Sequence, residues 1–136
     1  MVEIIQTQEF GKAWNETTVG EDKPQLEPKP CKVIEVKQTV VKSKDGKEVG
    51  TKVVLVVSHP DRQEKLIEMS NVKYLKNDQL AESALWYNID DSGKLAFKSA
   101  LAVTLRFFHA KTIKDLIGIS IPTIIDANGY LIIKAY

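Results

Sequence analysis

The side chains best suited to chemistry in this 136-residue chain are cations and aromatics rather than nucleophiles. Lys47, Lys52, Arg62, Lys65, Lys73 and Lys76 are spread along a stretch that also holds Tyr74, with Trp86 a little beyond it. Cations along extended chain can hold phosphates, and an exposed aromatic ring can stack on an unpaired base. Around Trp86 the pattern alternates: if Leu85, Tyr87 and Ile89 face a core, Trp86 and Asn88 face outward. An outward tryptophan beside lysines suits a stacking site. It suits a homodimer interface equally, because tryptophan is enriched there.

Material for catalysis is sparse. The only thiol and imidazoles are Cys31, His59 and His109, and no two of them stand at metal-ligand spacing. A single cysteine cannot form an intramolecular disulfide, and Cys31 reads as a small apolar strand residue. Asp90-Asp91 is followed by Ser92-Gly93, which is turn chemistry rather than a general acid–base pair. The chain has no Gly-rich phosphate loop, no G-x-S-x-G elbow and no H-E-x-x-H string. The expectation is a non-catalytic protein with no cofactor and no metal.

The elements that must position these residues read as mainly β. Strands are predicted over 31–42, 51–58, 64–76, 83–89, 119–125 and 130–135, from β-branched runs and period-two alternation. Asp45-Gly46, Asn77-Asp78 and Asn128-Gly129 supply the turn residues between them. A parity switch near residues 69–71 predicts a bulge or bend in the third strand. From Phe97 to His109 apolar residues recur at spacings of three and four, which predicts a helix started near Ser99. Phe107 and Phe108 are read as core or interface residues of that helix, with Arg106 toward solvent. Thr112 to Asp115 resembles a capping box, and Gly118 is placed to end that short turn.

Residues 1–30 carry three lysines against six carboxylates, a balance of −3, and 31–136 carry sixteen cations against twelve carboxylates. With Pro24, Pro28 and Pro30, residues 1–30 read as an acidic flexible arm on a domain of residues 31–136. Trp14 is expected to dock on the domain or in a chain–chain contact. A net charge of +1 excludes a global basic field. The N-terminal residues lack the pattern of a secretory signal, and no apolar run approaches the length of a membrane span, so a cytoplasmic protein is expected.

Meandering strands, then a helix, then a hairpin is the order of an OB-fold, a five-stranded barrel. On that order the chain resembles small OB-fold proteins that bind single-stranded nucleic acid, including those of phages and archaeal viruses. The resemblance covers 31–136. Residues 112–118, with 128–131, also look like the end of some phage proteins. The chain departs from bacterial single-strand binding proteins in ending on Lys134-Ala135-Tyr136 rather than on an acidic tail. The resemblance implies an OB-like five- or six-stranded barrel with a helix before the C-terminal hairpin. It implies binding of single-stranded nucleic acid, DNA rather than RNA, on a lysine-lined face where Tyr74 and Trp86 stack. The alternative is a structural or assembly module that oligomerises through the same face or a sheet edge.

Overall fold

β-Branched residues dominate the first two strands, β1 (Cys31–Lys42) and β2 (Glu48–His59). They pair antiparallel, with Val36 opposite Leu55 and Val40 opposite Thr51. The turn between them closes through Gly46, whose φ of 86° only glycine adopts without strain. The computed structural model describes Asn15, Val19 and residues 26–136.

The predicted third strand is divided, as its parity switch requires. β3 (Arg62–Met69) and β4 (Asn71–Lys76) are separated by Ser70 alone. β4 folds back on β5 (Gln79–Ala84) through Asn77 and Asp78, which take φ values of 52° and 64°. Two successive positive values are what a tight hairpin turn demands. Because that turn is only two residues long, β5 starts earlier than the predicted 83–89 segment. Residues 85–87 instead run along β2: Leu85 accepts from Val53 N–H and Tyr87 N–H donates to Thr51, each at 2.8 Å.

The helix, α1 (Ala100–Phe107), is shorter than the predicted 97–109. Ser99 sets its start, its Oγ accepting from Ala102 N–H at 3.1 Å and donating to Ala96 O at 2.8 Å. Phe97 therefore lies outside the helix. A 3-10 turn, Ile113–Leu116, follows, with the predicted Thr112–Asp115 capping box in place and Gly118 at φ 91° beyond it. The predicted 119–125 strand is broken into β6 (Ser120–Ile121) and β7 (Thr123–Ile125) by Pro122, which has no N–H to give a ladder. β8 (Leu131–Ala135) ends the chain's regular structure.

These strands make two four-stranded sheets, ordered β3-β2-β1-β6 and β5-β4-β8-β7. All pairings are antiparallel except β4 with β8. The chain passes from one sheet to the other at Ser70 and at Pro122, the kind of break by which strands turn corners between packed sheets. The ladders do not close into one barrel. Met69 is the last β3 residue on β2, and Leu85 N–H then takes the Ser70 carbonyl at 2.7 Å, so β4 departs with β5. A cleft of about 460 Å³ lies between β3 and the start of β8, lined by Leu26, Arg62, Ile67 and Ile132 among others.

The core lies between the sheets. Val53, Leu55 and Val57 of β2 meet Val72 and Tyr74 of β4, Ile133 of β8 and Leu101 and Leu105 of α1. Of the predicted arm, residues 26–30 are without helix or strand and are stitched down. His59 is buried; its Nδ1 accepts from Asp61 N–H at 3.0 Å, so Nε2 carries the proton and donates to Glu27 O at 2.7 Å. Lys29 pairs with Asp61 at 2.9 Å, and its carbonyl accepts from Thr123 Oγ1 at 2.8 Å. Trp14, Pro24 and the other arm residues before 26, except Asn15 and Val19, lie outside the described residues. No described helix is long and apolar enough to cross a membrane.

Leu101 is fully buried and Leu80 is 50% exposed. Leu101→Ala should therefore cost about 2–5 kcal/mol by urea unfolding, and Leu80→Ala within about 0.5 kcal/mol. Three turns depend on carboxylates. Hydrogen bonds from Ser43, Ser92 and Thr112, followed by backbone N–H groups, hold Asp45, Asp90 and Asp115 below the ordinary carboxylate range. Such groups stabilise above the unfolded carboxylate value and lose that contribution as pH falls through the lower folded values. An NMR pH titration should show the amides of Lys47, Lys94 and Thr112 losing their hydrogen-bonded shifts in that acid window, while core amides hold.

Candidate nucleic-acid interface

On β2, Val53, Leu55 and Val57 face the core, so Gly50, Lys52, Val54 and Val56 face outward. Trp86 bridges Lys52 across the strands and shares that outward side. Thr39 stands opposite Lys52 on the other flank. Thr39, Lys52 and Trp86 thus form one row across three strands. The indole is half-buried and lies against Gly50: a Cβ there would meet Cζ3 and Cε3 of Trp86 at 3.3 and 3.4 Å. An aromatic ring laid over a strand glycine covers backbone that has no side chain of its own.

The same face continues into the β1–β2 hairpin, where Lys42, Lys44 and Lys47 are exposed. Asp45, in that turn, is occupied by Ser43 Oγ and by Lys47 N–H at 3.4 Å. At its other end the face is closed. Lys37 stands opposite Val54 and Glu68 opposite Val56, and their ion pair crosses β2, laying two aliphatic stems over these valines. The Glu68 hydrogen bond raises the pKa of Lys37.

The other expected site residues are dispersed. Tyr74, expected to stack on bases, is 5% exposed and packs in the core, because it shares the inward parity of Val72 on β4. Lys65 is exposed but follows the parity of Ile67, which pairs inward with Val57, so β3 gives the Trp86 side Glu64, Leu66 and Glu68 instead. Arg62 is half-buried at the mouth of the cleft between β3 and β8. Lys73 lies on the outer side of the second sheet, opposite Glu82 and Lys134. Lys76 ends β4, across from Gln79. Of the eight residues, Lys52 and Trp86 come together, and Lys47 lies at the hairpin end, five residues before Lys52. Thr39 joins them through the β1–β2 register, which the Asp45-Gly46 turn sets, and Gly50 through its shared parity with Lys52 and the bridge from Lys52 to Trp86.

Among the described residues, no group of three His, Cys, Asp or Glu side chains is placed to hold a metal ion. Cys31 is buried, which raises its thiol pKa and keeps it protonated.

Gly50→Val should displace the indole. In a Trp14→Phe background, Trp86 emission should shift to the red with the fold retained by circular dichroism; unchanged emission would mean the ring does not rest on Gly50. No family model, curated protein or solved structure matches the chain.

Proposed function

We propose that the protein is a non-catalytic, OB-like binder of single-stranded nucleic acid, DNA rather than RNA, acting in the cytoplasm. The observation that carries this reading is the placement of Trp86 beside Lys52 on an outward strand face that runs into the lysines of the β1–β2 hairpin. Bases would stack on the indole, and Lys52 and Lys47 would hold the adjoining phosphates. OB-folds bind oligonucleotides through the face of their second and third strands and through loops that include the one between strands one and two. Two features support that comparison. β4 runs parallel to β8, and β6 returns antiparallel to β1, so neighbouring strands follow one another around the core with breaks at Ser70 and Pro122. The helix falls between the meander and the C-terminal hairpin.

A second reading, assembly of copies through a sheet edge, draws on one observation. Leu75 and Leu80 are cross-strand partners at the free edge strand β5, and each is about half exposed.

Fluorescence titration with oligo-dT and a duplex control at two salt concentrations separates these readings. Single strands should quench Trp86 and bind more tightly than duplex. Trp86→Ala should weaken binding by about 1–3 kcal/mol, and Lys52→Gln should lower the salt slope by about 0.7. Flat fluorescence at low salt, with a sedimenting dimer that Leu75→Ser or Leu80→Ser dissociates, would establish the assembly reading instead.

A further inference from the structure

From Gly93 to Lys114 the chain carries Lys94, Lys98, Arg106, Lys111 and Lys114 and no carboxylate. Folding gathers most of these around Arg106, in the last turn of α1. Its guanidinium donates to Phe97 O at 2.7 Å and lies 3.9 Å from the centre of the Phe97 ring. Phe97 is nonetheless 64% exposed, so the guanidinium caps one face of the ring and leaves the other open.

Two clefts flank Arg106. One, of about 420 Å³, sets Lys94 and Lys111 beside it above Leu95 and Leu105. The other, of about 190 Å³, brings Lys76 and Lys98 to it. The ion pairs among the described residues are Lys29–Asp61 and Lys37–Glu68, so none of these five side-chain cations is ion-paired there, although the Asp90 and Asp115 carboxylates accept from the backbone N–H groups of Lys94 and Lys111 at 3.0 and 3.3 Å. Like charges collected around concave surface in excess of the carboxylates at its rim attract anions. The capped phenyl ring adds a stacking surface that a bare anion does not need and an unpaired nucleotide does.

A backbone link ties this patch to the Trp86 segment. Asn88 shares the outward parity of Trp86, and its carbonyl accepts from Ala96 N–H at 2.9 Å. Along that path the Cα of Phe97 is no more than about 17 Å from that of Trp86.

We propose that the Phe97–Arg106 patch is a second contact for the same single strand. A base stacks on the open face of Phe97, and Lys94, Lys98 and Lys111 hold the phosphates around it. The proposal rests on the reading above and extends it from a point contact to a track across residues 86–97. Its signature is length dependence, since a strand too short to span the path engages one ring only.

Labelled oligo-dT from a tetramer to a twenty-mer, read by fluorescence anisotropy, tests it. For the unaltered protein, affinity should keep rising after the shortest bound strand. Phe97→Ala should abolish that rise, with about a tenfold loss on the twenty-mer and little change on the shortest strand, because Phe97 is exposed and its removal leaves the fold intact. Lys98→Gln with Lys111→Gln should lower the salt slope on the twenty-mer by about 1.4. If Trp86→Ala weakens every length while Phe97→Ala and the lysine pair change none, the second contact is wrong and the Trp86 site stands. If the unaltered protein binds no strand at low salt, both fail.

Discussion

The structure depends on one strand that is apolar on both sides. Val53 to Val57 are five consecutive residues of β2, none more than 6% exposed. A strand buried on both faces has to be central, with a neighbour at each edge and cover above and below. β1 and β3 supply the edges, and the second sheet with α1 supplies the inner cover. The outer cover over Val54 and Val56 is the Lys37–Glu68 pair, two charged residues whose stems do apolar work. Where that cover ends, at Lys52 and Gly50, the indole of Trp86 begins. The half-buried indole thus sits at the end of the face that the valine cover leaves.

The second sheet is tied to the first at two single-residue breaks, where β3 gives way to β4 and β6 to β7. A serine and a proline do this by different means. The Ser70 carbonyl is claimed by Leu85 N–H, which lets β4 leave β2 without stranding a polar group. Pro122 has no N–H to place, and its carbonyl is met by Lys134 N–H at 2.9 Å. Residues 26–30 brace the same corner, joining the β2–β3 turn through His59 and Asp61 to β7 through Thr123.

What the sequence makes legible is what neighbours decide. Gly46, Gly129 and the Asn77-Asp78 pair need positive φ, a local demand that composition reveals. Ser99 and Thr112 declare their caps for the same reason. The division of strands between two sheets is not local: it depends on which distant partner claims Ser70 and on the parallel docking of β8, and neither leaves a periodic trace. At the site the outward parity of Trp86 is legible by alternation. Its seat on Gly50 requires the bridge between residues 52 and 86, which is tertiary. Tyr74 carries a different lesson. Its parity with Val72 already points inward, and its closeness in sequence to Lys73 and Lys76 says nothing about which side of the sheet it shares.

The contact between Trp86 and Gly50 also bears on how such a chain could drift. The indole occupies the space in which a side chain at position 50 would grow, and the glycine is tolerable in a strand because the indole shields it. Each residue makes the other acceptable, so the two positions do not accumulate changes independently. A larger residue at 50 would push the indole off its seat, and a smaller residue at 86 would uncover the glycine. Related chains should carry the pair as a linked character, exchanged as a unit or kept as a unit.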